Sequence, residues 1–188
     1  MTINNKKNNK IIMLDPGHSG DDFGAIYNNI NEKDINLIIA SLIYSQLSNY
    51  NYSVYMTRYM DEYLSLNHRC KIANSINSTL FVSIHHNASK IVSANGFEII
   101  YYTNSNDGKI LSNIILNELE KNINLNNRGL KERSNLYVLK NTKMPSCLIE
   151  CGFMSNKNEL KYLLNPENQI KISNSITNGI ITYLNKDN

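Results

Sequence analysis

Short β-branched or aromatic runs alternate with amphipathic helical stretches along this chain, and that alternation restricts the folds open to it. The runs are IIML at 11–14, YSVYMTR at 52–58, STLFVSIH at 78–85, GFEIIYY at 96–102, LYVLK at 136–140 and SCLIECGF at 146–153. Bounded by Asn, Gly or Pro, they read as strands. Between the first two, Ile35, Ile38, Ile39, Leu42, Ile43 and Leu47 recur at the three-and-four spacing of a helix with one apolar face. Residues 64–76, 109–123, 157–164 and 166–184 read as further helices. Parallel strands need a crossover of a dozen or more residues, and a helix between strands supplies it. The expected fold class is therefore α/β: one domain with a largely parallel central sheet of about six strands, flanked by helices on both faces. The 188 residues show no repeat or linker, and that length suffices for a single substantial core.

Composition narrows the function classes. The chain is 41% hydrophobic and 19% charged, as globular domains are. A net charge of +3 without dense Lys/Arg clusters argues against nucleic acid as a partner. The opening MTINNKKNNK lacks the apolar core and cleavage site of a complete signal peptide, so residues 1–9 are expected to be a disordered or leader-derived polar segment ahead of a domain at 10–188. No apolar run is long enough for membrane insertion. Cys70, Cys147 and Cys151 form no metal-type spacing. On a strand, Cys147 and Cys151 stand about 13 Å apart at ~3.3 Å per residue, too far to bridge, and all three read as packing residues.

Ligands of open α/β sheets sit beyond the carboxyl ends of the strands, where loops carry polar groups on a rigid support. Pro16 and Gly17 stop the first strand, so His18 lies on a loop at that edge. The third run ends in His85 and His86, which point to opposite faces of the sheet; spacing alone does not choose between them. Glu150 lies near the end of CLIECGF, where burial would cost several kcal/mol without a partner. Glu32 stands at the start of the helix that follows the first strand. Each has a plainer use: His18 as a cap, Glu32 as an acid complementing the helix dipole. His68 reads as a surface residue. Together, two imidazoles and a carboxylate match a catalytic zinc site with one open position, and a second carboxylate is left to act as general base. No phosphate loop, H-E-x-x-H or serine elbow competes, and Cys151 faces away from whatever Glu150 faces.

The order LDPGHSG, NEKDINL, MTR with LSLNHRCKIAN, FVSIHHNAS and NRGLKERSNLYVLKNTKMPSCLIECGFMSN resembles the zinc-dependent N-acetylmuramoyl-L-alanine amidases of bacterial cell-wall turnover, from about residue 10 to 184. The resemblance implies that His18, Glu32 and His85 hold one zinc per chain, choosing His85 over His86, and that Glu150 is the catalytic glutamate. It implies peptidoglycan as substrate, extracytoplasmic action on the cell wall, and a monomer to which an activating partner could be added. Ser19, His86 and Cys151 depart from common family residues without removing a ligand. Regulated relatives carry a long plugging insertion after the strand matching GFEIIYY; only TNSNDG stands there in this chain, which implies an unplugged site. A non-catalytic peptidoglycan-binding or regulatory relative, and a zinc peptidase cutting within the stem peptide, are the alternatives.

Overall fold

The computed structural model describes residues 10–186; the expectation for residues 1–9 lies outside them. In chain order the elements are β1 (Ile11–Pro16), β2 (Ile26–Tyr27), β3 (Ile30–Asn31), α1 (Glu32–Leu47), β4 (Ser53–Met56), α2 (Leu66–Ser75), β5 (Leu80–Asn87) and β6 (Phe97–Tyr102). They continue with α3 (Asn106–Asn122), β7 (Asn127–Arg133), α4 (Tyr137–Asn141), β8 (Ser146–Phe153), α5 (Lys157–Leu163) and α6 (Pro166–Leu184). A six-stranded sheet runs β4-β1-β5-β8-β6-β7, with β2 and β3 as a separate small hairpin. Strands β4, β1, β5 and β8 are mutually parallel, whereas β6 runs antiparallel to β8 and carries β7 parallel to itself. The expected architecture is present.

Strand alternation divides the core between the two faces. Ile12, Leu14, Val82, Ile84, Cys147 and Ile149 pack against α1, α3 and α6, contributing to the larger cluster. Met13, Phe81, Ile100 and Leu148 face α2 and α4 in a smaller one. The residues that continue this second face toward the ligand edge are polar: Asp15, Ser83, His85, Glu150 and Glu98. Short helices α2 and α4 cover the apolar part of that face. Its polar part becomes the floor of the site.

Two expectations need correction. LYVLK is not a strand; Tyr137–Asn141 is helical and turns Val138 and Leu139 into the smaller cluster. Its β-branched and aromatic residues suit a strand in isolation, but tertiary packing outweighs so weak a preference. The sixth strand is instead NRGLKER at 127–133, the sheet's edge, where a polar, charged sequence discourages pairing with another chain and hides the strand from a search for apolar runs.

All three cysteines are free and buried. Cys151 lies in the larger cluster, on the face opposite Glu150, and burial pushes its thiol pKa far up, so it is no nucleophile. Cys151→Ala is expected to cost about 1–2 kcal/mol in urea unfolding, the range for a small core truncation, and to leave hydrolysis at the parent level.

Candidate metal centre

Three segments meet where β1 and β5 end. After Pro16 the chain turns through His18, held in the left-handed region at φ 57°. Polar groups from the interior fix this unusual loop. The Pro16 carbonyl accepts from Arg58 Nε (3.0 Å) and Arg69 Nη1 (2.7 Å), the Gly17 carbonyl from Arg58 Nη2 (3.1 Å) and Asn36 Nδ2 (3.2 Å), and the His18 carbonyl from Arg69 Nη2 (2.9 Å). Arg69 is itself anchored on buried Asp15 at 2.8 Å, which also accepts from Thr57 and Ser83. Burial opposes ionisation of Asp15, but Arg69 and these hydroxyls outweigh it and hold the carboxyl below its usual range. Arg69→Met would strand that carboxylate; a loss of about 3–5 kcal/mol in urea unfolding is expected, the cost of breaking a buried pair from one side.

The His18 ring is aimed by Asp22, whose Oδ1 lies 2.9 Å from Nδ1, while Nε2 faces Glu32 Oε2 at 3.2 Å. Glu32 opens α1 and is fixed by donors from three directions: Ala25 N–H on Oε2 (2.9 Å), and His86 N–H (3.1 Å) and Asn36 Nδ2 (3.2 Å) on Oε1. His85 Nδ1 completes the group, 3.0 Å from Glu32 Oε1. The two imidazoles meet edge to face with centroids 4.9 Å apart. Glycine is required beneath them: a Cβ on Gly17 would fall 2.2 Å from His85 Nε2, and one on Gly24, at φ +66°, 2.5 Å from Glu32 Oε2.

His18, Glu32 and His85 each offer a ligand atom, all within 4.8 Å of one another. Ligands about 2.0–2.2 Å from a tetrahedral zinc stand roughly 3.3 Å apart, so a small shift accommodates the ion. The surroundings suit it as well. Asp22 occupies the other nitrogen of His18 and Asn36 braces Glu32, the outer support that metal-bound imidazoles and carboxylates generally have. In the protein alone, burial opposes a charge on His18, but Glu32 and Asp22 prevail and push its pKa up to about 9. Glu32, buried between two imidazoles that outweigh its desolvation, is held well below the carboxylate range. The carboxylates of Glu32 and Asp22 thus favour a positive charge at this point.

Glu150 stands beside this group on β8, in register with His85 on β5. Its Oε2 is buried and has no hydrogen-bond partner among the described residues. Burial is the main cause pushing its pKa up to about 7; His85 opposes that shift, while Glu32 and Glu98 reinforce it. A cavity of about 250 Å³ is lined by His18 and His85, with Tyr63, Leu64, Leu66, Leu136 and Tyr137 in its wall. Only Thr103, Asn104 and Ser105 separate β6 from α3, too few to plug it.

The four residues singled out from sequence therefore come together, and exposed His68 stays apart. His86 points to the opposite face, where its Nδ1 lies 2.7 Å from Asn36 Oδ1. Sequence reasoning passed over Asp22, Asn36, Arg58, Arg69 and Asp15. Asn36 had a readable signal, one helical turn after Glu32. The arginine clamp had none.

Comparison with known proteins identifies the family. The family model described as N-acetylmuramoyl-L-alanine amidase matches residues 12–182. The germination-specific N-acetylmuramoyl-L-alanine amidase of Bacillus subtilis is 34% identical, over 93% of this chain and 79% of that protein. An N-acetylmuramoyl-L-alanine amidase from Clostridium difficile 630 superposes with a TM-score of 0.92 at 33% identity, over 96% of this chain and all of the other. The CwlD amidase of Clostridioides difficile, solved in complex with the GerS lipoprotein, gives 0.91 at 37% identity over 95% of this chain and 100% of that one. Fold, matched length and relatives together place the chain in the N-acetylmuramoyl-L-alanine amidase family of cell-wall hydrolases.

Proposed function

We propose that this enzyme cuts the amide bond between N-acetylmuramic acid and the L-alanine of the peptidoglycan stem, using one zinc held by His18, Glu32 and His85 and a catalytic Glu150. The observation that carries the reading is the unpartnered, buried Oε2 of Glu150 in register with His85. When bound, zinc supplies Lewis acidity and lowers the pKa of a coordinated water. Glu150 takes the proton of the attacking water and delivers it to the departing nitrogen of L-alanine. Asp22 and Asn36 keep His18 and Glu32 in place. The buried carboxylate lies close to neutral in its proton affinity, which suits a group that must accept and then release one proton.

The catalytic domain spans residues 10–188 and works outside the cytoplasm on the cell wall. Among the described residues no helix is long and apolar enough to cross a membrane. All four groups come from one chain, so a monomer suffices, and the neighbour solved in complex with a lipoprotein supports a partner protein for this amidase.

Digestion of purified peptidoglycan tests the reading. New amino termini on L-alanine with intact glycan strands are expected. New termini deeper in the stem would make the protein a peptidase, and wall binding without new termini would make it a binding module.

A further inference from the structure

The polar row continues past Glu150. Glu150 on β8 faces His85 on one side and, across the antiparallel pairing, Glu98 on β6 on the other. At the edge, the register between β6 and β7 shifts between Phe97 and Ile99, and Arg128 stands at this irregularity. Its Nε donates to Glu98 Oε2 at 2.8 Å, its Nη1 donates to the Asn95 carbonyl at 3.3 Å, and its guanidinium lies 4.9 Å over the Phe153 ring. Glu98 is buried and accepts from Asn87 Nδ2 at 3.4 Å through its other oxygen. The head of Arg128 is thus fixed, yet the side chain is 35% exposed and Nη2 has no acceptor among the described residues. A planar guanidinium already oriented by one carboxylate, with N–H groups left over, is preorganised to receive a second.

The direction of the substrate follows from the order of the strands, and here the argument rests on the function proposed above. The amide carbon belongs beside the cluster at the ends of β1 and β5; the departing nitrogen belongs beside Glu150 on β8. The amine side of the cut bond therefore points along the row toward β6 and β7. The acyl side points to the cavity at Tyr63, Leu66 and Tyr137. One strand spacing and one ion-pair contact separate Glu150 from the Arg128 head, roughly 8 Å, a span of about two extended residues. We propose that Arg128 is a specificity-determining residue that binds a carboxylate on the stem residue next to the L-alanine, with Glu98 and Phe153 as its positioning residues.

Calorimetric titration of the zinc-loaded protein with L-alanyl-D-glutamic acid whose γ-carboxyl is capped as the methylamide, and with the α-amide of that same capped peptide, tests this without turnover. The acid is expected to bind about 10- to 100-fold more tightly, the worth of a charge-assisted hydrogen-bonded pair. Arg128→Gln should erase that preference and Arg128→Lys should keep part of it; with muramoyl-linked versions of the two peptides the difference should appear in KM rather than kcat. Equal binding of acid and amide by the parent protein, no binding of either, or a preference that survives Arg128→Gln overturns the assignment. The comparison within the parent protein stands even if a variant fails to fold. Hydrolysis of the muramoyl peptides without discrimination would sink the role of Arg128 alone, whereas discrimination in binding without any hydrolysis would sink the proposed reaction and leave Arg128 as an anion-binding residue.

Discussion

Replacing Glu150 by glutamine will lower turnover by about 10²- to 10⁴-fold, the usual worth of a general base, with zinc content unchanged and KM little moved. Glutamine keeps the shape of the side chain but cannot accept the water's proton. The same substitution will act on stability with the opposite sign. In the metal-free protein, burial raises the Glu150 pKa from its ordinary 4.5 to about 7. A carboxyl that holds its proton more tightly when folded favours the fold fully below its unfolded pKa and loses that contribution as pH rises through the folded one. Above pH 7 the ionised, buried group costs up to about 3 kcal/mol. The Glu150→Gln variant without metal should therefore match the parent near pH 4 and exceed it by about 2–3 kcal/mol at pH 8, read by urea unfolding at both values. Equal stability at pH 8 would mean that Glu150 is not held in the buried state described. Full turnover in the variant would remove it from the reaction.

A residue kept at a cost to stability marks a site whose design serves chemistry, and such residues were the ones most visible in the sequence. Glu150 stood out because an acid within CLIECGF contradicts the apolar run around it. His18 stood out because Pro16 and Gly17 end a strand that should otherwise continue. Alternation placed His85 and His86 on opposite faces, but which face carried the site depended on which helices cover which side of the sheet, and that is a property of the whole fold. Only resemblance chose His85 in advance. The Arg58, Arg69 and Asp15 clamp stayed hidden for the same reason: Arg58 reaches back 42 residues to the Pro16 carbonyl and Arg69 reaches back 54 to Asp15, with no periodic relation to these partners. The exchange of a strand between LYVLK and NRGLKER has a related origin. Apolar pattern reports burial, so it overlooks an exposed edge strand and misassigns a short helix pressed into the core. Arg128 lies in that edge strand and Glu98 in the strand beside it, and their alignment with Glu150 emerges only from the pairing of β8, β6 and β7.

The adjacent histidines give the sharpest test of the metal centre, because they occupy one strand and differ only in face. In the proposed site, His85→Ala removes one of three candidate ligand atoms and leaves only those of Glu32 and His18. Zinc measured by elemental analysis should fall from about one per chain to well below that, and turnover should drop by about 10³-fold or more, since a Lewis acid contributes several kcal/mol to transition-state stabilisation. His86→Ala leaves all three ligands in place. It removes the imidazole that meets Asn36 Oδ1, and Asn36 in turn donates to Glu32 Oε1. A support of this kind is worth about 10- to 100-fold in metal affinity. The His86→Ala variant should therefore lose zinc to a competing chelator more readily than the parent, yet recover activity when zinc is supplied in excess. Its backbone N–H still reaches Glu32, so the carboxylate keeps part of its bracing. Asn36→Ala should weaken zinc binding to a similar degree, and combining it with His86→Ala should add little, because the two side chains act on Glu32 through one path. A His85→Ala protein that retains stoichiometric zinc, or a His86→Ala protein that cannot be reloaded, would transfer the ligand role to the other histidine and with it invert the face of the sheet on which the reaction takes place.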